Sequence, residues 1–298
     1  MKNYLTLLLC FMSMLSVQCK QQGASAETPE AQETQEVQNA AVYQGEGFTL
    51  YTLNESSRNG NASILVGASE EMIKETMPDG TYPMATNCFL LVLPPSQKDT
   101  NGKKILFDAG TSAEILLNNL KKIDIAPEEI DMVMITHSHG DHIGGLINNG
   151  KATFPNAMIL LSSEEADFWQ SKNSSSCNEA MKLYKPFIRF DSDDWQVQSG
   201  NSTIRSVNAP GHTPGHIAYM INNEVMIWGD LTHASAIQMK YPEIAVTYDA
   251  NPEDAIASRK KIFNYLFNEN HGIKAYAGMH VPEGIEHIKV ISKNSNEK

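Results

Sequence analysis

Thr136-His137-Ser138-His139-Gly140-Asp141-His142 closes the apolar stretch Asp131-Met132-Val133-Met134-Ile135, and it places three imidazoles and a carboxylate within six positions. In an extended loop His137 and His139 project to the same side at period two and can grip one ion, while Asp141 and His142 turn toward a second position beside it. A polar turn that is merely rich in histidine needs no echo elsewhere in the chain. A pair of tetrahedral sites does, because it needs more donors than one loop holds.

Those donors recur downstream. His212 lies in Ala209-Pro210-Gly211-His212-Thr213-Pro214-Gly215-His216, a Pro/Gly-rich turn after the strand-like Thr203-Ile204-Arg205-Ser206-Val207. Asp230 follows the apolar run Val225-Met226-Ile227-Trp228 through Gly229, and His280 follows Ala275-Tyr276-Ala277-Gly278-Met279. Each stands where a strand gives way to a loop. The series H-x-H-x-D-H, G-H-T-P-G-H, G-D and a late His, in that order, resembles the metallo-β-lactamase-fold hydrolase superfamily over about Phe48 to Ile291.

The resemblance implies an αββα sandwich of the metallo-β-lactamase type. It also implies His137, His139 and His212 on a first metal, Asp141, His142 and His280 on a second, and Asp230 bridging both. Two divalent ions follow, zinc foremost, although Mn, Fe and Co accept such His/Asp sets. Asp108, in Leu106-Phe107-Asp108-Ala109-Gly110-Thr111, matches the superfamily's early D-x-G turn, which supports ligands rather than binding metal; by itself the segment also reads as an ordinary turn after a strand. His216, His233, His271 and His287 remain unassigned, and His271 before Gly272 reads as a helix-end residue.

The 298 residues with 41% hydrophobic content suffice for one large domain, placed at 47–298. Ahead of it, residues 1–19 read as an export signal, with Lys2 before the short apolar run Tyr4 to Leu15. That run is too short for a comfortable membrane span. Two exits compete: lipidation at Cys19, which the polar tether after it favours, and cleavage after Ala24-Ser25-Ala26. Residues 20–46, rich in Gln, Glu, Ala and Ser, read as a flexible tether. The expected location is therefore the bacterial envelope, periplasmic or lipid-anchored. Cys88 and Cys177 remain in the folded part, where a disulfide and two free buried thiols are both open; oligomeric state is not legible.

The formal charge of −12 repels phosphate backbones, so no nucleic-acid partner is expected. Strands are expected at Phe48 to Leu53, Ala62 to Gly67, Cys88 to Leu93, Lys104 to Phe107, Asp131 to Ile135 and Met158 to Leu161. Ser112 caps a helix from Ala113 to Lys121, Ser162-Ser163-Glu164-Glu165 forms a capping box, and Asn251-Pro252 opens a helix through Phe267. Alternating strands and helices in each half suggest two sheets back to back with helices outside.

Two ions about 3.5 to 4 Å apart would share a hydroxide that is nucleophilic near neutral pH. The chemistry is then hydrolysis of a small ester-like molecule, lactones and esters before phosphotriesters. Asp141 would orient the nucleophile and carry a proton; His233, where the resemblance places a pocket tyrosine of lactone hydrolases, would contact substrate or pass a proton. Trp169 matches a pocket aromatic of the branch that contains exported organophosphate hydrolases and acyl-homoserine lactone hydrolases. A true zinc β-lactamase carries Cys or Ser in place of the bridging Asp, so Asp230 counts against that alternative. The alternative of another class is an exported metal-binding module without catalysis.

Overall fold

The computed structural model describes residues 41–97, 100–191, 195–268 and 271–288. The expected export signal and most of the expected tether lie outside these residues. Two sheets carry the described body. The larger runs in the order Val42–Gly45, Phe48–Asn61, Thr81–Leu93, Lys103–Phe107, Met132–Met134, Met158–Ser162, Phe187–Phe190; the smaller runs Gln196–Ser199, Ser202–Asn208, Ile217–Ile221, Val225–Ile227, Ala275–Ala277, Ile285–His287. The larger sheet is antiparallel up to Lys103–Phe107 and parallel beyond it, where crossovers carry helices. In the smaller sheet the parallel pair is Val225–Ile227 with Ala275–Ala277, joined through the helix Pro252–Phe263.

The layers follow from side-chain alternation along the strands. Leu50, Phe89, Leu91, Ile105, Phe107, Met134 and Leu160 of the larger sheet meet Ile204, Ile217, Tyr219, Ile221 and Ile227 of the smaller in one buried cluster. The opposite face of the larger sheet, through Leu90, Leu106, Val133 and Ile159, packs Leu116 and Leu120 of the helix Ala113–Lys122 and Ala180 of the helix Ser175–Leu183. The opposite face of the smaller sheet, through Met220, Met226 and Tyr276, packs Ile262 and Phe263. This is the αββα sandwich. Leu116 is fully buried, and its truncation to Ala should cost about 2–5 kcal/mol.

Several expectations are corrected. The tether does not extend to residue 46, because Val42–Gly45 pairs antiparallel with Phe48–Tyr51 through the turn at Glu46-Gly47, and buried Tyr43 donates to Glu224 at 2.8 Å. Ala62 to Gly67 is not one strand: Asn61 caps a 3-10 turn at Ala62–Ile64, leaving Leu65–Val66 to pair with Ala245–Val246. Ser162 does cap the helix Ser163–Ser171, but the Glu165 carboxylate turns inward and does not close a capping box. The helix after Asn251 ends at Phe263 and continues as a π turn, Asn264–Asn268. Cys88 and Cys177 are free and buried. Among the described residues no helix is long and apolar enough to cross a membrane.

Candidate metal centre

All the candidate donors except those on the short helix after His139 follow directly on strand ends at one edge of the sandwich. This is the place where open α/β sheets present ligand-binding loops. Met132–Met134 leads into Ile135 and Thr136, whose carbonyls accept from Tyr219 Oη at 2.8 Å and Ile217 N at 3.1 Å, so the histidine loop is rooted on the opposite sheet. Asp108, at φ 61, accepts from Thr136 N at 2.7 Å and Thr136 Oγ1 at 2.9 Å, and it lies 2.8 Å from His142 Nδ1. One carboxylate thus fixes the root of the loop and the ring at its end.

Two donor groups emerge. His137 Nε2 and His139 Nδ1 are 2.9 Å apart, His139 Nδ1 and His212 Nε2 are 2.9 Å apart, and Asp230 Oδ2 lies 3.7 and 3.4 Å from His137 and His212. Asp141, His142 and His280 form the second group, with Asp141 Oδ2 3.7 Å from His280 Nε2. Asp230 faces both groups, since Oδ1 is 3.1 Å from His142 Nε2 while Oδ2 faces the first. The remote ring nitrogens are occupied: His142 by Asp108, His212 Nδ1 by Asp249 at 3.1 Å, His280 Nδ1 by the Ala85 carbonyl at 2.9 Å. Such contacts fix ring orientation and leave the facing nitrogen as a donor to metal.

The arrangement fits metal. His142 Nε2 and Asp230 Oδ1 are buried and close, yet neither makes a hydrogen bond. Leaving each unmet costs about 1–3 kcal/mol, and an ion between them would satisfy both. Without metal, burial holds His137 well below the ordinary imidazole range and brings His139 down to about 4. Burial presses on His142 and His280 too, but the Asp230 carboxylate, with Asp108 beside His142, outweighs it and raises both. Burial would raise Asp230, but His142, His280 and His233 hold it well below the usual carboxylate range.

His233 lines the cleft with Nε2 3.1 Å from Asp230 Oδ2, and burial brings it down to about 4. It makes a third possible donor group with Asp230 and His280. Trp169 is placed elsewhere than expected. Its Nε1 donates to Glu165 Oε1 at 2.6 Å and its ring stands edge-on to His139 at 5.4 Å, so it backs a donor and is absent from the cleft walls. The cleft itself, about 620 Å³, is walled by Arg58, Ile64, Tyr82, Met84, Tyr248 and the donors.

Residues 81–265 match the family model of the metallo-β-lactamase superfamily. The chain belongs to the metallo-β-lactamase superfamily. Among solved members, the hydrolase AbOPH aligns with TM-score 0.69 and 25% identity over 83% of this chain and 92% of that one. AidC, a dizinc quorum-quenching lactonase in complex with a product, aligns with TM-score 0.71 and 24% identity over 85% and 95%. An N-acyl homoserine lactonase of Bacillus sp is 28% identical over 114 residues, 38% of this chain and 42% of the relative. The chain spans less than half the length of the curated relatives it matches.

Sequence reasoning did not reach several supports of this superfamily site. Glu165 accepts from Ser138 N at 2.8 Å, Trp169 Nε1 and Thr213 Oγ1 at 2.6 Å, and so ties the His137–His142 loop to the His212 loop. His216 Nε2 accepts from Asp230 N at 3.0 Å; Gly229, at φ 59, has no Cβ to block that approach. Asn87 donates to the carbonyls of Met279 and Val281 at 3.0 and 2.9 Å and so holds the His280 turn. Buried Arg259 grips the Leu231, Pro242 and Ile244 carbonyls, and Gln238 Oε1 accepts from His233 N at 2.8 Å. Only the repeated G-H of the second motif carried a signal, for His216.

Proposed function

We propose that the protein is an exported, dinuclear metal-dependent hydrolase of lactone or ester-type small molecules, with His137, His139 and His212 on one ion, Asp141, His142 and His280 on the other, and Asp230 shared. The observation that carries this reading is the single buried carboxylate placed between two donor groups at the floor of an open cleft. When bound, the two ions would activate water at neutral pH and polarise the scissile carbonyl. Asp141, 37% exposed at the cleft floor, would orient the attacking water and hold its proton. His233, anchored by Gln238, contacts the substrate oxygen as the bond breaks. The apolar Met84 and Ile64 walls support an uncharged reacting portion. The acidic chain supports a small-molecule substrate over nucleic acid.

Elemental analysis of zinc-loaded protein, with a panel of lactones, aryl esters, phosphotriesters and β-lactams, tests the reading. About two equivalents and turnover of a lactone or ester are expected. Metal-replete protein that leaves all of these intact yet cleaves a β-lactam overturns it, and a protein inert to the whole panel is a binding module. Export is supported by the charged start and apolar run of residues 1–19. Mass spectrometry of the mature N-terminus should find a diacylglyceryl group on Cys19; a chain starting at Glu27 refutes the anchor, and intact Met1 in the native host refutes export.

A further inference from the structure

The long hairpin Phe48–Asn61 with Thr81–Leu93 forms one wall of the cleft, and its register puts Arg58 opposite Met84 and Gly60 opposite Tyr82. Side chains two apart along a strand share a face, so Arg58, Met84 and Tyr82 all turn to the cleft. Gly60 is what makes room, since a Cβ there would run into the Tyr82 ring and hydroxyl. The next residue, Ala85, holds His280 through its carbonyl, so this wall is continuous with the second donor group.

Three donors on or against this wall lack partners. Of the other buried tyrosines, Tyr43, Tyr184 and Tyr219 each donate to a protein oxygen, while Tyr276, which lines no part of this cleft, does not do so among the described residues. Tyr82, 2% exposed, makes no hydrogen bond among the described residues, nor does Tyr248 across the cleft mouth, and Arg58 makes neither a hydrogen bond nor an ion pair. Burial and the nearness of Tyr248 push the Tyr82 hydroxyl up to about 12 while Arg58 pulls it down, so Tyr82 lies within electrostatic reach of both and stays a proton donor. Among the described residues Arg58 is the one lysine or arginine lining the cleft, in a chain of net charge −12.

We propose that Arg58, Tyr82 and Tyr248 form a carboxylate-recognition subsite, and that the substrate is an ester or lactone carrying one carboxylate away from the scissile bond. This rests on the hydrolase reading and narrows its substrate class. A planar guanidinium matches a carboxylate with two parallel hydrogen bonds, and two phenols add neutral donors. The one guanidinium among the described lining residues matches a single negative charge.

The test compares mono(4-nitrophenyl) glutarate with its methyl ester on zinc-loaded protein. The anionic ester should have the higher kcat/KM, and Arg58→Gln should cut the anionic-to-neutral ratio about tenfold, mainly through KM, as expected for losing a charged hydrogen bond. Arg58→Lys should retain part of the preference, and Tyr82→Phe should lower it less. An unchanged ratio in Arg58→Gln overturns the proposal. If neither ester is cleaved, the hydrolase reading fails for this class, and calorimetry with monomethyl glutarate still decides the subsite: binding weakened about tenfold by Arg58→Gln upholds it, and equal binding overturns it.

Discussion

The two donor groups are built by different means. His137, His139 and His212 are gathered chiefly by ties between loops: Glu165 reaches across to Ser138 N and Thr213 Oγ1, the histidine loop is rooted on the opposite sheet through Ile135 and Thr136, and Asp249 holds the His212 ring. Asp141, His142 and His280 are gathered by individual acceptors, Asp108 for one ring and the Ala85 carbonyl for another, with Asp141 left partly open. Electrostatics separates them as well, since burial keeps His137 and His139 neutral while Asp230 draws protons onto His142 and His280. The first group is a mould; the second is held by charge. An ion should therefore meet neutral His137 and His139 in the first and displace protons from His142 and His280 in the second.

Asp230→Ala removes what the groups share and should produce the largest effect. Both ions should be depleted, and turnover should fall by more than the roughly 100-fold typical of losing a supporting residue. Full occupancy in this variant would end the comparison. Lowering the pH should then separate the groups. A histidine whose pKa is raised keeps its proton until the pH passes that raised value, so second-ion affinity should fall about tenfold per pH unit for each histidine that must give up a proton. First-ion affinity should fall less steeply over the same range above about pH 5, where His137 and His139 are neutral. Equal pH slopes for both ions, in competition with a chromophoric chelator, would contradict this.

Supporting residues come next. Asp108→Asn should weaken the second ion about 10–100-fold and the first less, whereas Glu165→Gln should disturb the first through Ser138 N and the Thr213 hydroxyl. Stoichiometry measured on each variant reads the difference, and an identical loss in both would merge the two groups into one. His233→Ala is expected to be mildest, lowering kcat while leaving both ions in place; loss of an ion would instead make His233 a ligand with Asp230 and His280.

Ligand-type residues at strand ends carry their signal in their identity, so the positions around His137, His212, Asp230 and His280 were legible before any fold was known. The sheets were legible where they are apolar, as at Cys88–Leu93 and Met158–Leu161. Asn54–Asn61 escaped because that arm of the hairpin is polar and largely exposed, and Thr81–Asn87 because Pro83 breaks the strand signal. Glu165 escaped for another reason: its place three residues after Ser162 suits a helix cap, and nothing local says that its side chain leaves the helix. Arg259 and Asn87 act on carbonyls far along the chain, and such contacts have no sequence spacing to reveal them.

The hydrogen bond from Tyr219 to the Ile135 carbonyl crosses from one sheet to the other directly beneath the histidine loop. Neither sheet supplies enough donors by itself, since His137, His139, Asp141 and His142 arrive from one and His212, Asp230 and His280 from the other. A bound ion would therefore act as a rivet through both plates of the sandwich, and the rate at which a chelator strips it would gauge how often the plates part.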